Sequence, residues 1–255
     1  MPSTGVLMRL TEIKGNEYSV DEVILPPKTE ANWLRFPETK AQHRIMGAGG
    51  QIEMLKLGGN FELKGHRSIR ELTPKKATVI SNGQWHRFIN PSADPLTLVV
   101  KLTPPWNPQR AHFRLGNREF RGDEVWFEVK THLNDKTARA MYMLHELSAA
   151  RGFVSVRLNP KVESLECYHK TSTVSIKGVK EKGVVRINGT PRTLGPGEEV
   201  VIKPGQRYQL QNPNDKTWEV EQTHKKQWEP EDTFYVLDDK VIPGDQVWFE
   251  FVVPD

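Results

Sequence analysis

Short extended runs of apolar or alternating residues, each ended by turn residues, recur along the chain. Their spacing is roughly 8–12 residues, which is typical of β-sandwiches and β-barrels. The runs that predict strands are 61–65, 77–80, 96–102, 184–189, 199–202 and 218–223, together with the two Val-Trp-Phe-Glu blocks at 125–128 and 247–250. The pattern therefore predicts an all-β chain.

One segment departs from this pattern. Ala138, Met141, Leu144 and Leu147 lie near helical spacing within residues 136–151. Asp135 precedes them as a candidate N-cap, and Gly152 follows as a candidate C-terminal stop. We expect a helix here, bridging the two halves of the chain.

The second half of the chain repeats the first. Between residues 79 and 128, 15 of 50 positions are identical to the residue 122 further on, without a gap. The shared blocks include Gly83-Gln84 with 205–206, Asn90-Pro91 with 212–213, and Gly122-Asp123 with 244–245. A repeat of this length is a domain-sized unit. The chain is therefore expected to hold two related domains, residues 1–131 and 132–255.

Composition places the chain among ordinary globular proteins. It has 255 residues, of which 36% are hydrophobic and 27% charged. No apolar run approaches the roughly 20 residues of a membrane helix, and residues 1–10 lack the apolar stretch of a signal peptide. The single cysteine, Cys167, fits a reducing compartment. We expect a cytoplasmic protein with no membrane partner.

Charge is unevenly distributed between the halves. Residues 1–128 carry 18 Lys/Arg and 14 Asp/Glu, whereas residues 129–255 carry 18 of each. Cations gather at Lys64, His66, Arg67, Arg70, Lys75 and Lys76. This segment is either a solvated hairpin or a contact for an anionic partner. Nucleic acid is not expected, because no aromatic residues interleave with these cations.

A turn motif between two predicted strands resembles a known family. Residues 81–90 read Ser-Asn-Gly-Gln-Trp-His-Arg-Phe-Ile-Asn, and residues 203–212 read Lys-Pro-Gly-Gln-Arg-Tyr-Gln-Leu-Gln-Asn. Both resemble the second motif of the cupin superfamily, Pro-x-Gly-x-x-His-x-x-x-Asn. Together with the internal repeat, the resemblance implies a bicupin of two tandem jelly-roll barrels. The superfamily includes enzymes and storage proteins, so the fold alone does not give the function.

Metal-binding cupins use a His-x-His pair and a Glu from their first motif and the His of the second. Here the first motif is eroded: aligning Gly59 with Gly183 sets His43-Arg-Ile45 against Cys167-Tyr-His169. His43, Glu53 and His86 could hold one divalent transition metal in the first barrel. The second barrel has Tyr208 where the metal histidine is wanted, and a neutral tyrosine is a poor ligand.

The remaining candidates each have a structural alternative. Strand alternation puts His86, Phe88 and Asn90 on one inward face. His86 can then be a metal ligand, a general base or a hydrogen-bonded core histidine. Tyr208 is a core aromatic or a catalytic proton donor, and Cys167 is a buried hydrophobe.

Three functions follow from the resemblance. The first is a metal-independent enzyme of isomerase, epimerase or cyclase type, acting on a small anionic metabolite in the first barrel. His86 and Tyr208 would be its catalytic residues, and His43, Glu53, Arg87 and Phe88 would bind the substrate. The second is a non-catalytic ligand-binding or structural bicupin, and the third is a metal-dependent dioxygenase. A small-molecule ligand is the expected partner, and a homodimer is left open.

Overall fold

A computed structural model describes residues 3–14, 16–47, 49–56, 66–132, 135–148, 150–226 and 228–252. The predicted strand at 61–65 and the residues Gly59 and Lys64 lie outside these ranges. By internal contacts the chain divides into two compact units between Val125 and Trp126, and residues from Glu250 on belong to the first unit. This boundary differs from the expected division after residue 131. Within the described residues, no helix is long and apolar enough to cross a membrane.

The first unit consists of antiparallel strands in two sheets. Its strands are β1 (Ser3–Lys14), β2 (Tyr18–Leu25), β3 (Thr29–Glu30), β4 (Trp33–Arg35), β5 (Lys40–Ile45), β6 (Gly50–Leu55), β7 (Arg67–Leu72), β8 (Thr78–Ile80), β9 (His86–Asn90), β10 (Leu96–Thr103), β11 (His112–Leu115) and β12 (Arg118–Arg121). One sheet has the order β1-β2-β10-β5-β8. The other has the order β12-β11-β4-β9-β6-β7, with β3 on β9.

Eight of these strands form a jelly roll. Counting β2, β4, β5, β6, β7, β8, β9 and β10 as the first to the eighth, the first strand pairs with the eighth and the second with the seventh. The third pairs with the sixth, and the fourth with the fifth. This nested antiparallel pairing is the jelly-roll arrangement.

The two sheets of the first unit enclose one core. Leu98 and Ile45 from one sheet and Ile52 and Phe88 from the other belong to a single cluster of buried apolar side chains. Alternation along β9 and β10 supplies this core, because every second residue of each strand is buried.

The second unit repeats the jelly roll. Its strands are β13 (Trp126–Lys130), β14 (Met141–Leu147), β15 (Gly152–Leu158), β16 (Glu166–His169), β17 (Val174–Lys180), β18 (Gly183–Ile187), β19 (Thr190–Leu194), β20 (Glu199–Ile202), β21 (Tyr208–Gln211), β22 (Trp218–His224), β23 (Thr233–Leu237) and β24 (Lys240–Pro243), with β25 (Trp248–Val252) reaching the boundary. The nested pairs are β15 with β22, β16 with β21, β17 with β20, and β18 with β19. The predicted all-β fold with two tandem jelly rolls is confirmed by this strand pairing.

The predicted bridging helix at 136–151 is wrong. Met141–Leu147 is strand β14, paired with β15. A β-bulge between Leu144 and Glu146 shifts the side-chain alternation by one position. Leu144 and Leu147 therefore lie on the same side three residues apart, a spacing that imitates a helix. Asp135 is not an N-cap, because the next element is strand β14; its carboxylate accepts hydrogen bonds from Thr131, Thr137 and Arg139.

The offset between the two units changes once along the chain. From β8 onward the elements correspond at 122 residues, as in Phe88 and Leu210. Their partners Ile52 and Val185 are 133 residues apart. The difference falls between β6 and β7, where the second unit has the tight connection from Ile187 to Thr190.

This offset corrects the alignment of the histidines. His43 and Ile176 occupy the same place, since each lies beside the eighth strand of its jelly roll, opposite Val100 and Gln222. Cys167 corresponds to Leu34, which pairs with His86 as Cys167 pairs with Tyr208. The expected match of His43 with Cys167 was wrong because the sequence did not reveal the change of offset between β6 and β7.

Some of the residues that the two units share are glycines that the backbone conformation requires. Gly83 and Gly205 have φ angles of 73° and 77°, a conformation that other L-residues adopt with strain. A Cβ on Gly122 would lie 2.7 Å from the carbonyl oxygen of Pro108. These constraints explain why both glycine turns survive in both units.

A buried asparagine closes each jelly roll. Asn90 Nδ2 donates to the carbonyl oxygens of Leu25, Pro26 and Asp94 at 3.1, 2.9 and 2.8 Å. Its Oδ1 accepts from the backbone N–H of Ser92 at 3.1 Å. One side chain thus joins the end of β2, the end of β9 and the approach to β10.

The second unit has the same arrangement. Asn212 Nδ2 donates to the carbonyl oxygens of Leu158, Asn159 and Lys216, and Oδ1 accepts from the N–H of Asn214. The two networks match contact for contact, although the side chains around them differ.

We expect Asn90→Ala and Asn212→Ala each to lower the free energy of unfolding by about 1–3 kcal/mol, because buried carbonyl groups lose their donor. Asn107→Ala is the control, since this side chain accepts one hydrogen bond in an exposed turn. Urea unfolding of the three variants measures the costs. If Asn90→Ala costs no more than Asn107→Ala, the asparagine is not a main tie between the strands.

Candidate functional site

One wall of the candidate site comes from three adjacent strands of the first unit. Val100 on β10 lies directly opposite Asp21 on β2 and opposite His43 on β5. Directly opposite residues of antiparallel strands share a face, so the three side chains stand in a row on the inner side. Asp21 is 3% exposed and His43 1%.

The facing wall carries the histidine of the turn motif. His86 begins β9, lies opposite Leu34 and Met54 on the neighbouring strands, and is buried. The ring centroids of His43 and His86 are 5.2 Å apart. The ring of Phe88 packs edge-on at 4.7 Å from His43 and 5.8 Å from His86. The fold therefore brings together His43, His86 and Phe88 from the predicted set.

Between the walls lies a cavity of about 110 Å³. This is roughly ten times the 10–15 Å³ that a single water requires. It is lined by Val6, Met8, Asp21, Val23, Ala31, Asn32, Leu34, Phe36, His43, His86, Arg87, Phe88, Val100, Leu102, Trp106, Phe113, Arg114, Leu115, Phe120, Val125 and Phe251. Most of these side chains are apolar, as in sites for small organic molecules.

Buried polar atoms of this lining lack partners. Asp21 Oδ1, both ring nitrogens of His43 and Nε2 of His86 make no hydrogen bond within the described part of the chain. The other nitrogen of His86, Nδ1, lies 3.1 Å from the carbonyl oxygen of Gln84, which orients the ring. Each unpaired buried polar group costs roughly 1–3 kcal/mol. A bound molecule that supplied hydrogen bonds would remove this cost.

Burial also sets the charge of these groups. It raises the pKa of Asp21 to about 8. It lowers the pKa of His43 well below its usual value, and the neighbouring His86 lowers it further. Burial lowers the pKa of His86 to about 4, although the carbonyl of Gln84 opposes the shift. At neutral pH the cavity therefore contains neutral imidazoles and a mostly protonated carboxylic acid.

Glu53 is paired with Arg87, which also lines the cavity. Arg87 Nε donates to Glu53 Oε2 at 2.7 Å, and its Nη1 lies 2.5 Å from Glu30. The guanidinium also stacks 5.2 Å from the ring of Trp33. Glu53 on β6 lies directly opposite Arg87 on β9. Its side chain points away from the inner face of the sheet, on which the neighbouring residues Ile52 and Met54 are buried.

The predicted metal set of His43, Glu53 and His86 therefore does not come together. Within the described ranges, no group of three or more His, Cys, Asp or Glu side chains is arranged to hold a metal ion. The two histidines alone do not fit the four-ligand centre that the resemblance implies, because the carboxylate of Glu53 is committed to Arg87.

Tyr208, the counterpart of His86, has protein partners instead. Its hydroxyl lies 3.3 Å from Nε2 of His169, and the other nitrogen of His169 lies 3.1 Å from Thr233 Oγ1. Burial raises the pKa of Tyr208 and raises that of Cys167 to about 12, so neither ionises near neutral pH. His224 packs edge-on against His169 with its Nδ1 unpaired among the described residues.

Asp21 is the site residue that sequence reasoning missed. It lies in the run Tyr18–Leu25, where Ser19 and Asp21 are polar at buried positions. Polar residues at the inward positions of a strand were the available signal. The signal was weak because strand β2 could not be assigned a face from the sequence.

The basic segment is separate from the cavity. Arg67 and Arg70 are exposed on β7, with Arg67 3.8 Å from Glu53 and stacked 5.7 Å from Trp33. His66, Lys75 and Lys76 do not line the cavity either.

No protein-family model matches the chain, and no curated protein matches it in sequence. Solved structures similar to it include a variant of oxalate decarboxylase from Bacillus subtilis (9% identity, TM-score 0.37, covering 89% of this chain and 75% of that one). The 7S globulin of Momordica charantia has 9% identity and a TM-score of 0.36, covering 93% and 83%. A cupin 2 conserved barrel domain protein from Leptotrichia buccalis has 8% identity and a TM-score of 0.32, covering 89% and 91%. At these values the similarities carry no information on activity, and the architecture rests on the strand pairing above.

The raised pKa of Asp21 predicts a pH-dependent effect of Asp21→Asn. The folded pKa of about 8 exceeds the ordinary value of 3.8, so the folded state binds more protons between these values. The stability that Asp21 contributes is therefore complete below about pH 4 and is lost as the pH rises towards 8. We expect the variant to gain in Tm relative to the unmutated chain from pH 4 to pH 8.

Asp215→Asn is the control, because this aspartate is exposed and should show no such trend. Thermal unfolding in a pH series tests both variants. A constant difference between Asp21→Asn and the unmutated chain would mean that Asp21 ionises normally.

Proposed function

We propose that the first jelly roll binds a small, largely apolar metabolite in its cavity and transforms it by metal-independent acid–base chemistry. The observation that carries this proposal is the convergence of Asp21, His43 and His86 on one cavity, each with an unpaired polar atom. Unmet hydrogen-bonding capacity in an apolar cavity is a feature of ligand sites.

His86 is the proposed base. Its Nδ1 is oriented by the carbonyl of Gln84, which leaves Nε2 directed to the cavity. Nε2 takes a proton from a carbon of the bound molecule and returns it, so the net reaction is an isomerisation, epimerisation or ring closure. Such chemistry needs no oxidant, reductant or metal.

The expected negative charge of the ligand is not supported by the lining. Its two arginines have partners: Arg87 pairs with Glu53 and Glu30, and Arg114 Nε donates to the carbonyl oxygen of Gly116. An anion in this cavity would be desolvated beside neutral imidazoles, which is costly. We therefore propose an uncharged ligand.

Non-catalytic binding is the second candidate, and one observation favours it. A histidine with a pKa near 4 is a weak base at neutral pH, since catalysis works best with a pKa near the working pH. The same cavity would then hold a ligand without changing it, and the experiment below separates the two candidates.

We expect His86→Ala to weaken ligand retention by about tenfold or more, the value of one lost hydrogen bond of roughly 1.4 kcal/mol. Thermal stability should change by no more than about 1–2 kcal/mol. Native mass spectrometry of the purified chain identifies the retained molecule. The molecule recovered after incubation in D2O should carry deuterium on carbon with the unmutated chain and none with His86→Ala.

His224→Ala is the matched control, because it removes a buried imidazole with an unpaired nitrogen from the second unit. It should leave ligand retention unchanged. Retention without deuterium exchange in the unmutated chain would favour the non-catalytic candidate. Unchanged retention in His86→Ala, combined with lost stability, would contradict both.

A further inference from the structure

Asp21 also lines the cavity, but the proposed role of His86 as a base gives no reason for a buried carboxyl group there. It is 3% exposed, it contributes to the apolar cavity, and its Oδ1 has no partner among the described residues. Its place in the second unit is taken by Val154: Val154 on β15 pairs with β14 beside a β-bulge, as Asp21 on β2 pairs with β1 beside a β-bulge. An apolar side chain is therefore compatible with this strand position. The carboxyl group is special to the first unit, as the cavity histidines are.

The register fixes where Asp21 stands relative to the histidines. Asp21 and His43 flank Val100 on the two neighbouring strands. Strands are spaced by about 4.8 Å, so the Cα atoms of Asp21 and His43 are roughly 10 Å apart across the wall. A molecule that meets both groups has a polar atom at each end and apolar atoms against Val100 between them.

Charge decides which molecule fits. A carboxylic acid held neutral by burial donates its O–H, and its best partner is an acceptor that carries no proton of its own. A ligand anion would lie beside this acid and two arginines that are already paired. A ligand ammonium would require Asp21 to be ionised in apolar surroundings. Apart from Asp21 and the two arginines, the titratable groups of this lining are the two neutral imidazoles.

We infer that the cavity binds an uncharged carbonyl compound, and that Asp21 donates a hydrogen bond to its carbonyl oxygen. This inference rests on the proposed function and adds the substrate class and a second contact residue. With His86 as the base, a proton leaves the carbon next to the carbonyl for Nε2 while the Asp21 proton moves to the oxygen. When the enol reverts to a carbonyl compound, its O–H proton returns to Asp21 and the proton held on Nε2 returns to carbon.

Three probes of one shape test the class. Cyclohexanone is uncharged, cyclohexylammonium is a cation and cyclohexanecarboxylate is an anion at pH 7. Their dissociation constants for the full chain are measured by ligand-observed NMR at millimolar concentrations. We expect cyclohexanone to bind at least about tenfold more tightly than either ion, which corresponds to the loss of roughly one hydrogen bond to a buried group.

Two variants of Asp21 test the contact. Asp21→Asn keeps an N–H donor and should keep cyclohexanone binding within about threefold, whereas Asp21→Leu removes the donor and should weaken it by about tenfold. His224→Ala again serves as the unaffected control. Thermal unfolding confirms that each variant is folded.

The outcomes separate this inference from the proposed function. Tighter binding of the ammonium or carboxylate probe, or equal binding by Asp21→Asn and Asp21→Leu, would overturn the carbonyl inference while leaving a ligand site at His86. Absence of binding by all three probes to the unmutated chain would count against both. Weakened cyclohexanone binding in His86→Ala and in Asp21→Leu, but not in Asp21→Asn, supports both.

Discussion

The buried asparagine at the end of the seventh jelly-roll strand is the constraint on which the rest of each unit depends. Asn90 joins three backbone carbonyl groups from β2 and its turn and from the approach to β10, and Asn212 does the same in the second unit. Because it fixes which face of β9 is inward, it also fixes Phe88 and His86, two and four residues earlier, on the inner side. The site is thus a consequence of the same register that closes the fold.

The two units use this shared frame differently. In the second unit, both ring nitrogens of His169 have partners, which are Tyr208 and Thr233. In the first, Asp21, His43 and His86 converge on a cavity with unpaired atoms. Buried polar groups without hydrogen-bond partners lower the free energy of unfolding, and natural proteins contain them mainly at functional sites. This asymmetry, rather than the jelly roll itself, is why we propose the first unit as the site of function.

How far the sequence could predict this structure depended on how local each signal was. Alternation and turn residues, which are local, predicted the repeat from residue 79 onward, the inward position of His86 and the strands β8, β10, β13, β18, β20, β22 and β25. The strand β14 was mistaken for a helix because a bulge imitated helical spacing, and bulges have no reliable sequence signature. His43 was matched to the wrong residue because the offset changes between β6 and β7. Glu53 was assigned to the site from proximity in sequence, but strand alternation turns it towards Arg87. Asp21 was missed because strand β2 could not be assigned a face from the sequence.

We propose above all that the first unit holds a cavity in which Asp21, His43 and His86 gain their missing hydrogen bonds from a ligand. A high-resolution crystal structure of the purified chain, examined for electron density inside this cavity, tests it most directly. The account predicts density for a small molecule or ordered water within hydrogen-bonding distance of His86 Nε2 and Asp21 Oδ1. A collapsed cavity, with both atoms bonded to protein groups and no enclosed volume, would contradict it.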